Sequence, residues 1–166
     1  MNPGEKVLIS EEQFYFCDAN APEPNVPLHP GVSAIIFDNQ KRILFMKRTW
    51  GDWWCLPGGR MDRDESAQDC CIRETFEETG LQTRIIRLIS VNTHPQSVVH
   101  YPDGNVHRSF VLCFEAEVIG GELRDSEESA GFRWLNENAI DTLKLIPDSR
   151  ANALDAWSNQ PHAIIR

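Results

Sequence analysis

No apolar run in this chain approaches the roughly 20 residues that a membrane-spanning helix needs. The opening residues, MNPGEKVLIS, lack the basic and apolar regions of a secretory signal, so a cytoplasmic protein without a membrane anchor is expected. Basic residues are in deficit. There are 16 Lys and Arg against 25 Asp and Glu, a formal net charge of −9. No basic stripe offers itself to a phosphodiester backbone, which argues against a nucleic acid polymer as partner. A small phosphorylated ligand remains compatible if metal ions offset the local charge. The five cysteines, Cys17, Cys55, Cys70, Cys71 and Cys113, are odd in number and lack metal-site spacing. Cys70 and Cys71 would point to different helical angles and chelate poorly. All five read as reduced thiols, mostly small core residues, with a reactive thiol as the alternative. Repeats, low-complexity tracts and a second domain are also missing.

What is present is an ordinary globular composition, 41% hydrophobic and 25% charged over 166 residues, enough for one domain with a real core. Residues 7–18 read as a short N-terminal strand or arm. Residues 21–31, APEPNVPLHPG, read as an extended proline-rich lead-in. Val32 to Phe37 and Arg42 to Arg48, joined by Asp38-Asn39-Gln40, predict a hairpin. Trp54 to Leu56 reads as a short strand stopped by Pro57-Gly58-Gly59. A helix is expected over Ser66 to Thr79, with Gly80 just beyond its end. Arg84 to Val91 and Val106 to Val118 read as strands around a loop whose Pro102-Asp103-Gly104 signals a turn. Phe132 to Leu135 reads as a strand, Asn136 to Leu143 as a short helix, and Pro147 opens a last helix to Trp157. The order is mixed α/β.

The densest chemical signal lies between Gly59 and Leu81, GRMDRDESAQDCCIRETFEETGL. On a helix, Glu74, Glu77 and Glu78 fall at i, i+3 and i+4 and share one face. Glutamates on a helix are ordinarily a solvated face. Like charges so close otherwise call for a neutraliser, and a divalent cation with oxygen ligands and substrate phosphates would serve. The segment resembles the Nudix box, the signature of the Nudix hydrolase family: Gly-x5-Glu-x7-Arg-Glu-U-x-Glu-Glu-x-Gly-U, where U is bulky and apolar. Gly59, Glu65, Arg73, Glu74, Glu77, Glu78, Gly80 and Leu81 fill their positions, while Thr75 puts a polar residue at the first U.

The resemblance implies an α/β/α sandwich with a mixed β-sheet over residues 30–158, with 1–29 as an arm and lead-in and 159–166 as a tail. It implies hydrolysis of a phosphoric anhydride bond aided by Mg²⁺, with Mn²⁺ as a substitute. Glu77 and Glu78 map onto metal ligands, Glu74 onto a ligand or general base, and Arg73 onto an arginine that orients the carboxylates. Arg73 paired simply with its i+4 partner Glu77 is the plainer alternative. Glu65 is a supporting or metal-binding candidate, and the Gly58 carbonyl a metal ligand. Downstream, Glu128 is placed like an additional metal-binding glutamate, with Glu127 as its rival and a solvated acidic loop as the alternative. Trp50, Trp53 and Trp54 read first as packing residues, with base stacking as the alternative. His94, His100 and His107 read as loop histidines. The favoured substrate is ADP-ribose or a nucleotide sugar, partly because Pro95 stands near the position of a proline in ADP-ribose hydrolases. The alternatives are a nucleoside triphosphate pyrophosphohydrolase, including one for oxidised nucleotides, and a non-catalytic nucleotide sensor. A homodimer is compatible with this reading.

Overall fold

A computed structural model describes residues 6–166. Its centre is a four-stranded mixed sheet built from β2 (Gly31–Ile36), β5 (Leu81–Asn92), β8 (Val111–Gly121) and β10 (Ile164–Ile165), in the order β10-β5-β8-β2. β2 runs parallel to β8 and β10 parallel to β5, while β5 and β8 are antiparallel. Helix α1 (Ala67–Thr79) packs on one face, where Cys70 and Cys71 meet Val32, Ala34, Ile36, Phe114 and Ala116. Helix α2 (Pro147–Trp157) packs on the other, where Ala153 and Ala156 meet Ile35, Ile89 and Cys113. Alternate residues of β2 thus point to opposite helices, and all six are buried. This is the expected α/β/α arrangement.

Two small antiparallel sheets flank the centre. One holds β4 (Trp54–Cys55), β3 (Ile43–Arg48) and β9 (Ser129–Leu135). The other holds β1 (Gln13–Tyr15), β6 (Val98–His100) and β7 (Val106–Arg108).

The helix ends follow local chemistry. Ser66 caps α1 and forms a capping box with Asp69, and Gly80 takes the left-handed conformation at φ 76°. Thr75, in place of a bulky apolar residue, is fully buried and its hydroxyl has no hydrogen-bond partner.

The expected hairpin over 32–48 does not form as one. The turn is present: Asp38 accepts from the Gln40 and Arg42 amides at 2.8 and 2.9 Å. Beyond a single bridge from Phe37 to Ile43, however, the strands separate. β2 pairs along its whole length with β8, and β3 with β9 and β4. Both strands are covered on both faces, which two ribbons alone could not provide. The strand expected over 106–118 is likewise two. The chain leaves β7, and at Ser109-Phe110 it joins the central sheet as β8, where Gly31 N–H donates to the Phe110 carbonyl at 2.8 Å. The short helix near 136–143 is a 3₁₀ helix at Glu137–Thr142. The thiols are all free, with Cys70, Cys71 and Cys113 buried, Cys55 partly covered and Cys17 exposed.

The terminal segments are tied to this frame. β1 pairs with β6, and Arg166 closes the other end: its amide donates to the Val91 carbonyl at 2.9 Å, and its guanidinium meets Asp155 at 2.5 Å and Asn92 at 3.1 Å.

Thr75→Val should raise unfolding free energy by about 1 kcal/mol, because it removes an unsatisfied buried hydroxyl at constant shape. A urea denaturation midpoint that moves down instead would mean that the hydroxyl is paired in solution. Arg166→Ala should cost about 2–3 kcal/mol by stranding the Asp155 carboxylate, and Asp155→Asn in that background should recover part of the loss. Purely additive losses in the double mutant would show that the pair carries no coupling.

Candidate active site

Three pieces of backbone converge beside the edge of β2. Val32 N–H donates to the Gly59 carbonyl and Ala34 N–H to the Pro57 carbonyl, each at 2.8 Å, so the loop 57–59 lies along β2 like a further strand. Gly58 has φ 149°, and a Cβ there would sit 2.2 Å from the Val32 carbonyl oxygen. A Cβ on Gly59 would sit 2.4 Å from Glu74 Oε1. These two glycines let two helix carboxylates approach the main chain. Glu74 packs against Gly59, and Glu78 Oε2 accepts from the Gly58 amide at 2.7 Å.

Arg73 organises the rest. It donates to both oxygens of Glu65 at 2.9 and 2.7 Å, to Glu74 Oε1 at 2.9 Å and to Glu77 Oε2 at 3.0 Å. It also reaches the Arg60 carbonyl at 3.2 Å. The simple i,i+4 pair with Glu77 is therefore one part of a larger fork. The Arg73 hydrogen bond holds Glu65 well below the usual carboxylate range, at about 2. Burial works the other way on the inner carboxylates. It pushes Glu78, 5% exposed, up to about 8, and it raises Glu74 as well, while the neighbouring charge of Glu128 adds to both.

Glu74, Glu78, Glu128 and Gly58 line one cleft of about 540 Å³. Glu77 does not line it; its half-exposed carboxylate stays with Arg73 at the helix surface. Glu127 contributes only its carbonyl, which accepts from Thr49. Among the described residues, no three His, Cys, Asp or Glu side chains already stand as a formed metal cage. The donor set is nonetheless all hard oxygen, and Glu78 in particular is a buried carboxylate without a cationic hydrogen-bond partner among the described residues. That chemistry fits Mg²⁺ or Mn²⁺.

The remaining sequence candidates separate. Trp54 packs on the core, and Trp53 meets the Phe14 ring edge-on at 5.0 Å. Trp50 lines the cleft, with the Arg48 guanidinium 4.3 Å from its ring. His107 also lines the cleft, whereas buried His100 bonds the Val7 carbonyl and Pro95 is exposed outside it. Several cleft residues were not legible in the sequence. Arg48 and Glu12 form an ion pair at 2.9 Å, with Glu12 also accepting from Trp50 Nε1 at 3.1 Å. Phe14 and Tyr15 of β1 form part of the wall, and Asp148, pushed up to about 6 by burial, lies at the start of α2. The aromatic cluster QFYF in the arm was the one available signal.

The pH dependence of stability follows from the raised groups. Between the ordinary glutamate value of 4.5 and about 8, the folded protein retains a Glu78 proton that the unfolded chain has released. Glu74 and Asp148 act in the same direction. These three groups therefore lower stability as pH rises through this window, while His107, held below its usual value by burial, acts in the opposite direction. In chelator, the melting temperature should decline from pH 5 to 8, with a shallower decline in Glu78→Gln. Equal slopes would show that Glu78 is not the buried acid responsible.

The family model for the NUDIX domain matches residues 27–156. An ADP-ribose pyrophosphatase of Methanocaldococcus jannaschii is 34% identical over 130 residues, spanning 73% of each chain. A Bacillus subtilis (strain 168) protein named "Putative 8-oxo-dGTP diphosphatase" is 30% identical over 128 residues, spanning 75% of this chain and 77% of its own. The crystal structure of an ADP-ribose pyrophosphatase from Streptococcus suis 89-1591 superposes with a TM-score of 0.63 at 23% identity, covering 84% of this chain and all of that one. The box glutamates and the α/β/α frame that carries them agree with these matches, and the chain belongs to the Nudix hydrolase family.

Proposed function

We propose that this Nudix pyrophosphohydrolase cleaves the diphosphate bond of a nucleoside diphosphate linked to a second moiety, with ADP-ribose or a nucleotide sugar favoured. The observation that supports this most is the convergence of Glu74, Glu78, Glu128 and Gly58 on one cleft large enough for a two-part nucleotide. The M. jannaschii relative's name points the same way.

Nudix hydrolases generally need a divalent metal ion. Here the Gly58 carbonyl and the carboxylates of Glu74, Glu78 and Glu128 would hold it, and Glu77 would join them by turning from Arg73 at the helix surface toward the cleft. Once bound, it supplies positive charge against the phosphoryl oxygens and acidifies water. The chain's own contributions are positional. The Gly58 amide fixes one Glu78 oxygen and leaves the other free. Arg73 Nη1 donates to both Glu74 and Glu77 and so offsets their mutual repulsion. Glu74, packed on Gly59 beside the cleft, either joins the ligand set or accepts the proton of the attacking water. Phe14, Tyr15 and Trp50 form the wall of the cleft on the arm side.

The B. subtilis relative's name favours a second reading, a pyrophosphohydrolase of oxidised nucleoside triphosphates. A turnover screen with Mg²⁺ over ADP-ribose, nucleotide sugars, NADH, dinucleoside polyphosphates and nucleoside triphosphates separates the two. ADP-ribose or a nucleotide sugar should lead. Glu78→Gln should lose about two orders of magnitude or more in kcat with the fold intact, as should Glu77→Gln. A triphosphate clearly ahead would replace the favoured substrate. Near-normal rates in both variants would remove the ligand assignment. A Glu74→Gln loss equal to that of Glu78→Gln would make Glu74 ligand or base.

A further inference from the structure

The acidic carboxylates occupy one part of the cleft; another part is basic. Three arginines line the cleft, Arg48, Arg60 and Arg108. Arg48 is neutralised by Glu12. Neither Arg60 nor Arg108 has a carboxylate partner among the described residues. Arg60 Nη2 lies 3.3 Å from His107 Nδ1, and Arg108 donates to the Thr93 carbonyl at 2.7 Å. His29 lines the same region. The wall thus gathers two guanidinium and two imidazole groups in a chain whose net charge is −9.

Main-chain bonds assemble this wall. Arg60 bridges to Gly31, Met61 N–H donates to the Pro30 carbonyl at 3.0 Å, and Gly31 N–H donates to the Phe110 carbonyl at 2.8 Å. A Cβ on Gly31 would meet the Gly59 carbonyl oxygen at 3.0 Å, so the three segments meet where a side chain has little room. His29, Arg60 and the 107–108 strand are thereby fixed side by side. Their crowding has a cost. Burial first, and then the charges of Arg60 and His29, hold His107 below its usual value. Asp103, whose charge reaches His107, is engaged by the Asn105 amide at 2.9 Å and does not line the cleft. Asp148, the acid that also lines the cleft, is in ion-pair contact with neither arginine, so the exposed Arg60 and the half-buried Arg108 keep guanidinium donors available to an anion in the cleft.

We propose that this wall binds a phosphate monoester that the substrate carries in addition to its cleaved diphosphate. The proposal rests on the hydrolase reading for which bond is cleaved. The diphosphate itself belongs with the carboxylates and their metal. Arg60 directly follows Gly59, against which Glu74 packs, so the basic wall abuts that site from the next residue. A planar carboxylate would be satisfied by one guanidinium fork, whereas donors from three segments suit the several oxygens of a phosphate dianion. Tyr101, edge-on to His107 at 5.2 Å, adds an apolar flank for the sugar that bears it. The phosphate has two chemical sources: the nucleoside's ribose, or the sugar of the second moiety.

Calorimetric titration in chelator tests this without turnover. One arm compares AMP with adenosine 2′,5′-bisphosphate and adenosine 3′,5′-bisphosphate. The other compares ribose 5-phosphate with ribose 1,5-bisphosphate. The added phosphate should tighten binding about tenfold or more in one arm, and that arm names the source. In Arg60→Gln, and separately in Arg108→Gln, the gain should shrink to less than about threefold. No gain in either arm, or a gain that survives both substitutions, overturns the proposal. Absence of hydrolysis in the substrate screen would sink the catalytic reading, while the bisphosphate comparison would still report on this wall.

Discussion

Electrostatic repulsion among glutamates is the constraint around which this protein is arranged. Glu65, Glu74, Glu77, Glu78 and Glu128 are gathered along one side of a single helix, and among the described residues Arg73 is the only cation in ion-pair contact with them. That guanidinium takes three of them. The Gly58 amide dipole takes a fourth. The compensation is incomplete, and the raised proton affinities of Glu74 and Glu78 express what is left over. A site so balanced is destabilising when empty and deprotonated, and a bound cation reverses the balance.

The fold supplies the rigidity that this requires. Helix α1 is capped at both ends and packed through Cys70 and Cys71 on β2, so its carboxylate face cannot rotate away. The loop 57–59 is hydrogen-bonded to the same strand, which fixes the glycines relative to the helix. Ser129 then ties β9 to the helix by donating to the Glu78 carbonyl at 2.7 Å, bringing Glu128 to the cleft. Positions 58, 74, 78 and 128 are distant in sequence, yet each is one hydrogen-bonded step from the same pair of elements.

Legibility followed the range of the interactions. Ser66, Asp69 and Gly80 act within a turn or two, so the limits of α1 could be read directly. The box spacing carried the chemistry because its carboxylates share one helix. Strand partners were different. Apolar runs in 32–36 and 43–46 announce strands, but not whether the next strand or a distant one will cover them. Here β8 competes successfully for β2, through a register of six residues. Arg48, Asp148 and Arg60 were illegible for the same reason. Each is an ordinary polar residue locally, and only the closing of the sheets turns it toward the cleft. Trp50 was singled out but assigned to packing, since its exposure depends on the Glu12–Arg48 contact from a segment far away.

That contact has a thermodynamic consequence. The arm side of the cleft is built from residues attached by a three-residue strand, one largely buried ion pair and a few hydrogen bonds such as Trp50 to Glu12 and His100 to the Val7 carbonyl, rather than by the central sheet. Docking of the arm is therefore an equilibrium with its own constant, separate from global unfolding. A ligand that touches Phe14 or Tyr15 binds with its intrinsic affinity multiplied by the docked fraction. By reciprocity, such a ligand also fastens the arm. Changes near residue 12 would then be felt as altered ligand affinity, at unchanged intrinsic chemistry of the carboxylates.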